Sequence, residues 1–186
     1  MTEQQYWNKI TDLRHDLKNT EINFWLEHNL FSFSWFFILF IIIITAIVWW
    51  VLLDKKRLLE LIAFGGIVAL LATIFDIIGS NFVLFGYPTE LFPIIPPLIP
   101  ANLAVIPFTF ILIYQYTSSW KSFLITVFII GGMFAFIFEP ILDWINIYER
   151  MQWNSFYSFL VYLALGIIPK WIIDSLKSKQ KEHVNN

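Results

Sequence analysis

Between Ser32 and Asp174 the chain is a series of apolar stretches broken by very short polar gaps. Crossing a bilayer takes about 20 mostly apolar residues, because a helix rises 1.5 Å per residue through hydrocarbon about 30 Å thick. Five segments meet that requirement: 32–53, 58–81, 97–116, 122–147 and 155–174. Inside hydrocarbon every backbone N–H and C=O must find a partner within its own segment, which restricts these stretches to helices. The reading is an all-α membrane protein with five transmembrane helices. Only Asp54-Lys55-Lys56-Arg57 separates the first two, and Thr117-Ser118-Ser119-Trp120-Lys121 the third and fourth, so each pair is expected to form a tight antiparallel hairpin.

Charge agrees with this reading. Only 14% of the 186 residues are charged, against about 25% in soluble domains. A net charge of −2 speaks against nucleic acid as a partner. The absence of cysteine excludes disulfides, iron–sulfur clusters, Cys-ligated zinc and palmitoylation. His15, His28 and His183 all fall outside the spans, so no intramembrane haem or metal site is expected. There is no glycine-rich phosphate loop and no elbow serine, and no lysine at mid-membrane depth for a Schiff base; Lys170 falls at a span end. No cofactor is implied. The partners to expect are the lipid bilayer and a small cation, a proton or a lipid ligand.

Lysine and arginine near the span ends set orientation. Lys55, Lys56, Arg57, Lys121, Lys170, Lys177, Lys179 and Lys181 lie on one side, and Lys9, Arg14, Lys18 and Arg150 on the other. The excess places the hairpin turns and the C-terminus in the cytoplasm of a bacterial cell and the N-terminus outside. Residues 1–31 carry five carboxylates and no apolar core, unlike a signal peptide. Tyr6, Ile10, Leu13, Leu17 and Phe24 recur there at helical spacing, which predicts an extracytoplasmic amphipathic helix. It would lie in the interface plane or fray against the outer loops. A five-helix domain over 32–176 and a polar cytoplasmic tail over 177–186 complete the layout.

The linker 82–96 combines a Gly86-Tyr87-Pro88 turn with an apolar run punctuated by prolines. Its broken backbone does not suit lipid, and its apolar side chains do not suit water. It is expected to fold back as a lid over Asp76 and Asp143, with Phe92, Ile94 and Ile95 against the bundle. Pro107, further along, predicts a kink in the third helix. Gly65 and Asp76 are eleven residues apart, as are Gly132 and Asp143, and each such helix is followed by a loop and a return helix containing proline. That spacing suggests two helical-hairpin repeats after an extra first helix.

Four carboxylates fall inside the spans. Glu60 lies near the turn end and is expected to pair with a lysine such as Lys56. The other three matter more. Asp76 lies in the outer half of the second span, and Glu139 and Asp143 share one face of the fourth at i and i+4. Asn102 enters from the third span at similar depth, with Ser80 and Asn81 a turn beyond Asp76 and Arg150 within reach of the outermost acid. A charged carboxylate at mid-helix costs about 2.5–3.5 kcal/mol. The cost falls if the acids are protonated, share a proton or cation, or face a hydrated pocket. Asp76, Asn102, Glu139 and Asp143 are therefore the candidate polar site, with no catalytic residue assigned. The competing reading is interhelical glue, with Asp76 bonded to Asn102 and Glu139 to a neighbouring hydroxyl.

The Asp54-Lys55-Lys56-Arg57 turn, Asp76-x-x-Gly79, Gly86-Tyr87, the proline-rich run, Tyr114-Gln115-Tyr116, Glu139-Pro140, Tyr148 and Trp153 together resemble an uncharacterised family of small multi-pass membrane proteins of spore-forming Bacillota. The resemblance covers about residues 45–175 and implies architecture and bacterial origin, not an activity. A fainter likeness runs to the membrane lycopene-cyclase domain, with its Asp-x-x-Gly helix, proline-rich connection and carboxylate pair after proline. Here Pro100-Ala101-Asn102-Leu103 stands in place of those carboxylates, so an acid for polyene protonation would have to come from Glu139 and Asp143. The function expected from sequence is a small-ligand- or ion-binding component, or an assembly or sensory subunit. The alternative is a membrane enzyme acting on an isoprenoid or other lipid through a carboxylic acid.

Overall fold

A computed structural model describes residues 1–93 and 100–184 of the chain. The first helix, α1, spans Glu3–Phe24. Thr2 and Gln5 start it with a reciprocal capping box, and a π-helical turn at Trp25–Asn29 ends it. Among the described residues α1 buries nothing. It is a continuous helix, and the turn that ends it reaches Glu90 O through Trp25 Nε1 at 3.0 Å.

The next helix, α2 (Phe33–Leu52), is apolar all round, yet Ile38 is its only buried residue among those described. A helix of that kind belongs in a large core or in lipid. Phe36, Phe40, Ile43, Ile44 and Ile47 stand exposed along it, a surface compatible with lipid and costly in water. Asp54 caps a 3₁₀ turn (Lys55–Arg57) that leads straight into α3 (Leu58–Asn81).

After α3 comes a short strand, β1 (Phe85–Gly86). A π turn at Ala101–Val105 opens α4 (Ile106–Tyr116). The next hairpin starts with α5 (Trp120–Met133), passes a π turn at Phe134–Phe138 and continues as α6 (Glu139–Trp144). Strand β2 (Glu149–Arg150) and helix α7 (Ser155–Val184) complete the chain. Four helical runs, 33–52, 55–81, 120–144 and 155–180, are long and apolar enough to cross a membrane, and 101–116 is a shorter apolar helix.

Two boundaries differ from the sequence reading. The helical run 120–144 stops before Ile147, because Asn146 takes a left-handed conformation with φ 56°. Helix α7 continues beyond Asp174 to Val184, so much of the polar tail is helical. The π turns at Ala101–Val105 and Phe134–Phe138 have a shared cause. Proline removes one backbone donor and pushes away the carbonyl four residues earlier. Those carbonyls belong to Leu103 and Phe136, which lie within the π turns preceding Pro107 and Pro140. The expected disturbance at Pro107 is thus taken up as a widened turn.

The core lies where α3 meets α4 and α7. Leu61, Phe64 and Val68 of α3 pack among Phe110, Phe123, Val127 and Leu165. Small residues let the backbones approach. A Cβ on Gly166 would sit 2.8 Å from Val127 Cγ1 and 2.9 Å from Phe110 Cε1.

Polar contacts tie both ends of the bundle. At the end carrying the hairpin turns, Glu60 accepts from Arg57 Nη2 (2.8 Å), Lys177 Nζ (2.7 Å) and Tyr114 Oη (2.6 Å). The lysine partner is therefore Lys177, not Lys56. Lys170 pairs with Asp174 at 3.2 Å, and its ammonium stands about 5 Å from the rings of Tyr114, Trp120 and Phe123. At the opposite end β1 and β2 form an antiparallel ribbon, Phe85 opposite Arg150 and Gly86 opposite Glu149, joining the loops that follow α3 and α6.

Candidate functional site

The site lies beneath that ribbon. Asp76 is buried, 6% exposed, on the face of α3 shared with Ala72 and Gly79. Its Oδ1 accepts from the Tyr87 hydroxyl and its Oδ2 from the Asn102 amide. The π turn carries Asn102 inward, and the Gly86-Tyr87-Pro88 turn brings Tyr87 back over the helix end. Gly79 permits this return, because a Cβ there would clash with the Phe85 ring. Val83 adopts φ 55° in the same turn, an uncommon conformation for a β-branched residue. Ser80 and Asn81 bond back to the carbonyls of Asp76 and Ile77 and serve the helix end.

Glu139 is 8% exposed at the start of α6. Tyr162 of α7 donates to its Oε1 at 3.0 Å. Its Oε2 is buried with no hydrogen-bond partner among the described residues. Ser158 faces the same carboxyl without reaching hydrogen-bond geometry, and its Oγ accepts from Trp153 Nε1 at 2.8 Å.

Two cavities meet at Glu139. The smaller, about 160 Å³, is bounded by Asp76, Asn102, Tyr87, Tyr148, Ser158 and Glu139, among others. The larger, about 310 Å³, is walled by apolar side chains of α2 (Phe37, Ile38, Ile41, Ile42) and of the Phe134–Phe138 turn. Ala101, Ile106, Glu139, Leu142 and Tyr162 line both, so Glu139 stands between the chamber that Asp76 and Asn102 line and a more apolar one.

Of the four candidate polar residues, the structure brings Asp76, Asn102 and Glu139 to one cavity. Asp143 is not among its lining residues. Its Oδ2 accepts from Arg150 Nη2 at 2.7 Å and Nε at 3.1 Å, and Arg150 also reaches Ser155. Although i and i+4 share a helix face, the arginine on the ribbon draws Asp143 outward.

The lid differs from expectation as well. Ile94 and Ile95 lie outside the described residues. Phe92 is 56% exposed and does not pack against the bundle; its neighbour Leu91 does, beside Ile38 and Ile147. The described residues that close the cavity are Phe85, Tyr87, Tyr148 and Trp153, whose rings meet edge-on or tilted at 5.6–6.1 Å.

Sequence reasoning did not single out Tyr162, Tyr87, Tyr148 or Ser158 as site residues. Tyr162 carried a signal, since it stands inside an apolar span, away from the interfacial belts that account for most membrane tyrosines. Compared with known proteins, the chain matches no protein-family model, no curated protein and no solved structure.

Proposed function

We propose that the protein is an integral membrane protein of the bacterial cell membrane that binds a small ligand at Glu139. It spans the membrane five times, with the N-terminus outside and the C-terminus in the cytoplasm. This is the architecture of the Bacillota family that its motifs resemble. The observation that carries the reading is that Glu139, whose Oε2 is buried with no hydrogen-bond partner among the described residues, lines both cavities. Buried polar atoms in native proteins are nearly always bonded, and of the three left open among the described residues, Trp49 Nε1, Thr73 Oγ1 and Glu139 Oε2, the last alone belongs to a residue lining both cavities. Asp76 supports the site as its positioning element, holding Tyr87 and Asn102 in place. A cation site built from all four polar residues is disfavoured, because Asp143 already has Arg150.

Mass spectrometry of solvent extracts tests this. Protein isolated from its native membrane should yield a small molecule near one equivalent, and an Ile42→Trp variant that fills the larger cavity should yield little. Equal content in folded wild type and variant would contradict the proposal. A second reading, an enzyme acting on an isoprenoid or other lipid with Glu139 as the acid, is favoured by the apolar walls of that cavity. Chemical change in the extracted molecule on incubation would select it.

A further inference from the structure

Helix α2 is hydrogen-bonded at its ends, and between them it is held by apolar packing of Ile38 and Ile42 beside Ala101 and Leu142. At one end Ser34 Oγ donates to Ile145 O (2.7 Å) and Trp35 Nε1 to Leu91 O (3.2 Å). At the other, Gln115 Nε2 donates to Leu52 O (2.8 Å) and Gln115 Oε1 accepts from Asp54 N (2.8 Å). Between these pins the apolar cavity lies against α2 and α6, and the far side of α2 is an exposed apolar surface. A helix pinned in this way can bow without losing its end contacts, opening a path from the hydrocarbon and not from water.

The two chambers differ in what they would accept. The apolar one, at about 310 Å³, is at the lower end of the roughly 300–1,000 Å³ of ligand pockets. That suits one aliphatic chain and excludes a two-chain phospholipid. Where it meets Glu139, two hydrogen-bonding capacities are unused among the described residues. Glu139 Oε2 lacks a partner, and the Ser158 hydroxyl, on the smaller chamber's side, accepts from Trp153 and faces the Glu139 and Tyr148 oxygens without an acceptor at hydrogen-bond geometry. A hydroxyl head group complements both, donating to the carboxyl and accepting from the serine. An ammonium would bring three donors and no acceptor, plus the cost of a charge at that depth. A carboxylate would face another acid.

We propose that the ligand is a single-chain aliphatic alcohol drawn laterally from the bilayer past α2, with its hydroxyl on Glu139 and its chain in the apolar chamber. This rests on the pocket reading above and goes beyond it in naming the head group, the chain and the route.

The test uses wild-type protein in phosphatidylcholine nanodiscs and a dodecanol analogue with a photoreactive diazirine in its chain. Labelled peptides should map to 37–42 and 134–141. Unlabelled 1-dodecanol should displace the probe at about 10-fold lower concentration than dodecylamine or dodecanoate, the equivalent of one hydrogen bond. Glu139→Gln retains an acceptor and should keep most labelling, whereas Glu139→Leu should lose it about 10-fold. Stronger competition by the amine or the acid at the same peptides would overturn the alcohol and leave the pocket standing. Failure of matching alcohol, amine and acid probes to label those peptides would overturn both.

Because the natural chain has no cysteine, the route can be tested separately. In an Ile41→Cys/Ile141→Cys variant, a short cleavable thiol linker should slow labelling, and cleavage should restore it. An unchanged rate would overturn lateral access.

Discussion

Replacing Asp76 separates its role as an acceptor hub from any need for charge. Its two carboxyl oxygens hold Tyr87 and Asn102, which belong to different segments. Asp76→Ala removes both bonds. Side-chain hydrogen bonds in membrane bundles are worth about 0.6 kcal/mol on average and about 1.7 at most. The phenol and the amide would also lose their acceptor, at about 1–3 kcal/mol each if nothing relaxes. Allowing for relaxation, the expected loss is about 2–4 kcal/mol. Asp76→Asn keeps one acceptor for Tyr87, and Asn102 can rotate its amide to accept from the new one, so the loss should stay under about 1 kcal/mol. Reversible unfolding in mixed micelles measures both variants. A double-mutant cycle with Tyr87→Phe should show coupling of about 1 kcal/mol. Equal stability of the Ala and Asn variants, or strict additivity with Tyr87→Phe, would refute the hub.

Three further outcomes are expected. Gly166→Ala should destabilise by about 1–3 kcal/mol in the same unfolding assay, because its methyl would meet Val127 and Phe110 in the packed core. Val83→Gly should raise stability by about 1 kcal/mol, since only the valine is strained at φ 55°. Burial, with Glu21 and Asp76 nearby, pushes the Glu90 carboxyl up to about 7 from an ordinary 4.5. The folded state therefore holds this proton more tightly than the unfolded one. Its stabilising contribution is complete below pH 4.5 and is lost as pH rises through about 7. Unfolding measured from pH 5 to 8 should show stability falling across that window, and Glu90→Gln should flatten the slope.

The helices were legible because lipid imposes one solution on a long apolar run, and because Asp54 and Ser119 mark the hairpin turns by their capping chemistry. The pairing of Asp76 with Asn102 was also legible, as two polar groups at one depth on neighbouring helices. Glu139 could be identified as a buried acid, but its open oxygen could not, because that depends on where Tyr162 and Ser158 point. Asp143 was legible in one respect, since Arg150 was expected within reach of the outermost acid and pairs with it. Helical periodicity alone places Asp143 beside Glu139, and the two-residue strand that carries Arg150 pairs only after the chain folds. Phe92 misled because the argument that an apolar loop must cover itself does not say which of two adjacent residues, Leu91 or Phe92, faces inward.

An experimental density map of the protein in nanodiscs formed from its native membrane tests most directly whether Glu139 Oε2 bonds a ligand. One elongated feature is expected, running from the Phe37–Ile41 wall to hydrogen-bond distance of Glu139 Oε2. A collapsed apolar chamber, with that oxygen bonded to Ser158, would contradict that expectation.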